Sequence, residues 1–192
     1  TSVDFSNAYN PAITSLYLPA SVTDIHMGYG NPFSNFSQLE SITVEEGNSA
    51  FKTENGALLT ADGTELIAYP CASSETEFSI PDGVTTIAPL AFANNQNLTT
   101  LNIPATVTEF GSGALSNVSS LKNITLDSGN TAFQVVDGVL MNAAGTEMLA
   151  ATTENMPENY TIPAQVTLVN EDIFDQNSKI KNLTVDASLW SL

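Results

Sequence analysis

The chain repeats itself. Residues 39–103 align with residues 121–185 without a gap, at a constant offset of 82 positions, and about a third of the paired residues are identical. The anchors are Leu39 with Leu121, Ile42 with Ile124, Gly47-Asn48 with Gly129-Asn130 and Phe51 with Phe133. Gly63-Thr64-Glu65 with Gly145-Thr146-Glu147, Ile80-Pro81 with Ile162-Pro163 and Phe92 with Phe174 complete the set. Such a chain is constrained to fold as an array of like units, each packed on its neighbours.

A finer beat runs inside the 82, carried by apolar-polar-apolar triplets that read as short strands. Their last residues, Leu18, Val44, Ile80, Ile103, Leu126, Ile162 and Val185, are spaced by 26, 36, 23, 23, 36 and 23 positions. The basic coil is 23 residues, and each spacing of 36 is that coil with 13 residues added. The 26 reflects three residues added within residues 26–35. The added 13 coincide with NGALLTADGTELIAYP at residues 55–70 and DGVLMNAAGTEMLAAT at residues 137–152. Each is expected to form a two-stranded hairpin, around Asp62-Gly63 and Ala144-Gly145. Ala144 resists positive φ, so the glycine is placed in the left-handed site of a bulge rather than in a tight two-residue turn. The hairpins are expected to lie on the flank of the array, one face wholly covered and the other partly.

A coil of 23 residues cannot bury its own apolar side, whereas stacked coils bury a continuous one. Alternation turns the first and third residue of each triplet inward. The middle residues form an outward column: Tyr17, Thr43, Ser79, Asn102, Thr125, Thr161 and Thr184. Seven adjacent strands would give one parallel sheet roughly 30 Å long. A second inward column, Phe33, Phe92, Leu115 and Phe174, is expected to stack as a spine. Pro19, Pro81, Pro104 and Pro163 stop the strands. The Asn- and Ser-rich links FSNFSQ, FANNQN, LSNVSS and FDQNSK allow at most one helical turn. The expected fold class is therefore an α/β repeat solenoid, mostly β, with short helical or 3-10 turns, a parallel sheet on its concave face and two hairpin inserts. It is read as one domain, residues 1–192. Residues 1–15, which do not follow the beat, are assigned to an N-terminal cap, and residues 186–192, with Leu189, Trp190 and Leu192, to a C-terminal one.

Composition excludes several functions. Against 21 Asp and Glu stand four lysines and no arginine, a net charge of −17. Such a surface repels nucleic-acid phosphates and anionic lipid. No apolar run approaches the ~20 residues of a membrane span. Thr1 is followed by no cationic-then-apolar leader, so any export signal is expected to have been removed already. Cys71 is alone, which rules out an internal disulfide, and reads as a small packed residue. His26 is the one histidine, too few for a histidine metal cluster. The acidic groups Glu45-Glu46, Glu75 with Glu77, and Glu171-Asp172 with Asp175 match no calcium-loop spacing and read as solvated surface. No catalytic residue, metal or cofactor is expected. Asn-x-Ser/Thr sequons stand at Asn35, Asn97, Asn117, Asn123, Asn159 and Asn182.

The unit IPDGVTTIAPLAFANNQNLTTLNIP, residues 80–104, resembles the leucine-rich repeat of BspA-like surface proteins. The Gly-Asn-x-x-Phe element with its Asp-Gly hairpin and Ala-Tyr-Pro ending, residues 47–70, is similar to that family's enlarged repeat. The resemblance covers residues 16–185. It implies a curved right-handed solenoid, exported to the surface of a host-associated anaerobic bacterium, with adhesive rather than catalytic roles and some relatives in parasitic protists. The small or cysteine residue usual in the family's link is replaced by Phe36, Asn95, Val118 and Asn177, and the second insert ends Ala150-Ala151-Thr152.

The expected function is a non-enzymatic, monomeric, secreted or cell-surface domain that binds a protein or glycan through the outward column of its concave sheet or through the hairpin flank. Neither nucleic-acid binding nor membrane insertion is expected. A polysaccharide hydrolase and a structural spacer are the alternatives.

Overall fold

The computed structural model describes residues 1–5, 8–27, 30–170, 172–174 and 179–185. The chain opens with β1 (Ser2–Asp4), β2 (Ser15–Leu18), β3 (Asp24–His26) and a 3-10 turn, Pro32–Asn35. β4 (Ser41–Val44) leads into β5 (Phe51–Glu54), β6 (Ala57–Thr60) and β7 (Glu65–Ala68). Two plain coils follow, with β8 (Glu77–Ser79), β9 (Thr86–Ile87), β10 (Thr100–Ile103), β11 (Glu109–Phe110) and β12 (Asn123–Leu126). The pattern then recurs as β13 (Phe133–Val136), β14 (Val139–Asn142), β15 (Glu147–Ala151), β16 (Asn159–Thr161), β17 (Leu168–Val169) and β18 (Asn182–Thr184). The fold is a mostly β solenoid rather than α/β: among the described residues the one helical element is the 3-10 turn, capped by the Asn31 side chain at Phe33 N. Links this short end before an α-helix has nucleated.

The triplet strands pair in parallel with a register set by the beat. Leu101 lies opposite Phe78 and Ile124, each 23 positions away. After a triplet, the proline carbonyl accepts from the valine three residues on, as in Val22 N to Pro19 O at 3.0 Å and Val166 N to Pro163 O at 2.9 Å. The chain is thereby turned into a second parallel ladder, in which Phe110 lies opposite Ile87. Leu98, Leu101, Ile87 and Val107 are wholly buried between the ladders, each contributing on the order of 2 kcal/mol.

The triplet sheet is not continuous. It divides into β2-β4, β8-β10-β12 and β16-β18, and no ladder joins β4 to β8 or β12 to β16. Both breaks fall at the enlarged coils, where β4 packs against β5 and β6, and β12 against β13. The phenylalanine column divides too: Phe33 packs with Phe5 and Phe36, Phe92 with Tyr69 and Phe78, and Phe174 with Tyr160.

The enlarged coils explain these breaks. Each holds three antiparallel strands rather than two. The extra turn is Asn55-Gly56 or Asp137-Gly138, with φ of 51° and 83° or 50° and 78°. Positive φ at both central residues is the turn whose twist matches flanking strands, and Asn-Gly and Asp-Gly adopt it most readily. Gly63 and Gly145 are left-handed at φ 78° and 67°, and a bulge follows in the pairing of β6 with β7 and of β14 with β15. The meander is not laid on the flank. β7 pairs in parallel with β9, and β15 with β17, so each meander is itself a rung of the second ladder.

Because the meander stands within the stack, it is covered on both faces. Leu58, Ile67 and Ala68 face the cluster of Phe33, Phe36 and Leu39, while Ala57, Leu59 and Leu66 face that of Phe78, Phe92 and Leu98. In the second copy Leu140, Leu149 and Ala150 close the far end of that middle cluster. Val139, Met141 and Met148 open the next, with Tyr160, Ile162 and Val166. The two meanders are walls that divide the core into three. At the N-terminus, β1 pairs with β3, Val3 opposite Ile25. The residues that fall outside the triplet beat thus supply a rung of their own. At the other end Leu183 and Val185, the inward residues of the last triplet, are each 40 % exposed. Leu189, Trp190 and Leu192 lie outside the described residues.

The Gly-Asn signature has a physical cause. Asn48 Nδ2 donates to Pro19 O and Val22 O at 2.9 and 3.0 Å, and its Oδ1 accepts from Ala50 N and Phe51 N at 2.9 Å each. Asn130 does the same with Pro104 O, Val107 O, Ala132 N and Phe133 N. Each amide thus ties an enlarged coil to the turn of the coil before it. Asn48→Ala and Asn130→Ala are each expected to cost about 2 kcal/mol, measured by denaturant unfolding.

Cys71 is buried at the root of the first meander, its Sγ 3.4 Å from Ala93 O and 3.5 Å from Phe33 O. Burial pushes its thiol from 9.0 up to about 11. The unfolded chain therefore ionises first, and stability present below pH 9.0 is lost as pH rises towards about 11. Folded protein is expected to resist maleimide labelling at neutral pH until denaturant is added. Cys71→Ala should reduce the alkaline loss of stability in unfolding titrations, leaving the part due to Tyr69 and Tyr160, whose phenols burial also raises.

Candidate functional site

The seven outward residues fall into three rows that follow the divided sheet. Tyr17 lies opposite Thr43, Ser79 and Thr125 flank Asn102, and Thr161 lies opposite Thr184. All are exposed except Asn102, which is half-buried. The rows are brought together in pairs and in one triple, not as a single column of seven.

Asn102 organises the middle row. Its Nδ2 donates to Glu77 Oε1 at 2.8 Å and Ser79 Oγ at 3.0 Å, while its Oδ1 accepts from Thr125 Oγ1. These side chains border two shallow depressions. One, of about 300 Å³, is lined by Ser79, Asn102 and Thr125 together with Asp82 and Asp127. The other, of about 480 Å³, lies beside Glu75 and Glu77, with Tyr69 and Ser73 on its wall. At the N-terminal row, the Tyr17 phenol is raised by desolvation and by Glu45, which accepts its hydrogen bond. The Glu45 carboxylate also accepts from Ala20 N at 2.7 Å. Alternation along a strand identifies the outward residues, but Asp82, Tyr69 and Ser73 come from turns and from the meander. Their one sequence signal is closeness to a triplet.

The face is polar, acidic and already hydrogen-bonded. Three lysines are engaged with glutamates: Lys52 with Glu54, Lys122 with Glu154 and Lys181 with Glu158. The acidic excess therefore remains as the dominant field. Among the described residues no Asp or Glu side chain belongs to a buried residue. A glycosidase needs one carboxyl desolvated and facing another. No group of three His, Cys, Asp or Glu among the described residues is placed to hold a metal ion. His26 is exposed, while Glu171, Asp175 and Asp186 lie outside the described residues. No helix among the described residues is long and apolar enough to cross a membrane.

Comparison with known proteins places this geometry. Residues 68–135 match the family model of the BspA type leucine rich repeat region, in six copies. A solved leucine rich cell surface protein from Faecalibacterium prausnitzii superposes with a TM-score of 0.66 at 23 % identity, over 98 % of this chain and 52 % of its own. A leucine-rich repeat protein from Eubacterium ventriosum gives 0.57 at 21 % identity, over 94 % of this chain and 55 % of its own. The chain thus spans about half the length of these solved structures, and likeness at such identity speaks for the fold. No curated protein matches the chain. The repeat family is generally non-enzymatic, and no catalytic family is indicated. By its repeats and its solenoid, the chain is similar to the BspA type leucine rich repeat region, which its residues 68–135 match.

Proposed function

We propose that the chain is a non-enzymatic interaction domain, displayed at a bacterial cell surface or secreted, that binds a protein or glycan through the triplet face. Residues 1–192 act in this reading as one domain and as a monomer, with the triplet face as its concave side. The observation that carries it is the middle row: Ser79, Asn102 and Thr125 in register, linked by side-chain hydrogen bonds and bordered by Glu77, Asp82 and Asp127. A row of this kind offers acceptors at the 4.8 Å strand spacing to a partner rich in hydroxyl, amide or cationic donors. In this reading Tyr17 with Thr43, and Thr161 with Thr184, are two further rows, each separated from the middle one by an enlarged coil. The cell-surface description of the Faecalibacterium protein supports the location.

The test is a glycan and host-matrix protein array probed with the intact chain. Binding is expected to one or more ligands, weakening at least tenfold in Asn102→Ala or Tyr17→Ala and falling as salt rises, because the face is acidic. Signal unaffected by both substitutions removes the triplet face from the reading, and an array without any signal leaves the chain a spacer. Release of reducing sugar from a polysaccharide would instead establish the hydrolase.

A further inference from the structure

The two halves of the chain also differ away from the triplet face, in what their links place against the meander. In the first half, Asn31 spans the gap between link and meander: its Nδ2 donates to Ile67 O at 2.6 Å, and Pro89 O lies 3.4 Å away. Phe33 and Phe36 fill the space beneath it, their ring centroids 6.3 Å apart, both almost wholly buried. At an offset of 82 the same three positions hold Gly113, Leu115 and Val118. An amide and two rings have been replaced by a hydrogen and two small aliphatic groups. The space remains: a cavity of about 290 Å³ lies here, lined by Leu115, Val118 and Ile173 and floored by residues 149–153. Gly113, at φ +64°, keeps the link in a left-handed turn at its mouth. Ser116 Oγ donates across that mouth to the Asp172 carboxylate, which is exposed.

We infer that this cavity is a binding site for a single aromatic ring carrying a cationic amine, the ring held where the first half holds its own phenylalanines and the amine at Asp172. The volume lies at the lower end of small-ligand pockets, enough for one ring and too small for a folded element. The apolar part of its wall, Leu115, Val118 and Ile173, matches a ring, the polar part, Ser116, Asn117 and Asn170, suits an amine, and the one carboxylate at its rim, on a chain of net charge −17, selects a cation over an anion. The site lies apart from the triplet face and does not depend on the role proposed for it. The amine arrives free or beside an aromatic side chain in a protein segment, and the experiment separates the two.

The intact chain is titrated with phenethylamine, with phenylacetate, and with an acetylated Gly-Phe-Lys-Gly amide, followed by calorimetry and by the NMR signals of Leu115, Val118 and Ile173. Phenethylamine or the peptide is expected to bind at one site, at least tenfold more tightly than phenylacetate, and whichever of the two binds identifies the source. Leu115→Phe with Val118→Phe, which restores the residues of the first half, should weaken binding at least tenfold. Ser116→Trp, a change at the half-buried mouth, serves the same purpose where the double variant fails to fold. Asp172→Asn should abolish the preference for cation over anion while leaving ring binding in place. Absence of binding by either amine, equal binding by the refilled or blocked variant, or signals that move only elsewhere on the protein would overturn the assignment.

Discussion

A strand with apolar atoms on both faces cannot sit at a surface, and here that constraint organises the whole molecule. β6 and β14 carry such side chains at consecutive positions, Leu58-Leu59 and Leu140-Met141, and all four are essentially inaccessible to water. A hairpin lying on the flank would leave one of these faces wet. Placing the meander inside the stack covers both, at the cost of interrupting the triplet sheet. The divided sheet, the divided phenylalanine column and the three separate cores are one fact seen from three sides.

The amides of Asn48 and Asn130 make that arrangement possible. An enlarged coil leaves its triplet in a different direction from a plain one, and backbone groups at the departure would be stranded without partners. One side chain with two donors and two acceptors meets them all, and no other side chain of that size has both. Asn95 plays a related part in a plain coil, bonding Asn97 N, Leu98 N and Pro70 O from a fully buried position. Asparagine therefore serves in this chain as the residue that fastens one coil to the next, which accounts for its abundance without invoking glycosylation.

How much of this was legible in the residues depended on whether the determinant was local. The beat of 23 and the triplets could be read because each strand carries its own alternation. The outward column followed from the same alternation. The third strand of the first meander is masked although Asn55-Gly56 announces a tight turn, because Phe51-Lys52-Thr53-Glu54 lacks an apolar run and looks like loop; in the second, Phe133-Gln134-Val135-Val136 with Asp137-Gly138 carries the signal openly. The rung made by β1 was hidden because Ser2-Val3-Asp4 has one apolar residue and takes its meaning from Ile25 across the ladder. The Asn102 network depends on a carboxylate from the neighbouring strand, which no single strand reveals. The cavity was invisible for another reason: Phe33 and Leu115 both read simply as apolar, and only the comparison of filled with unfilled space distinguishes them.

The division of the interior bears on how the molecule meets mechanical load. In a solenoid with one unbroken core, a breach at any point exposes the flank of the next coil and invites progressive unravelling. Here a breach reaches a wall whose far side is packed against a different set of side chains. Stretched end to end, the chain should yield in blocks and absorb work at each one.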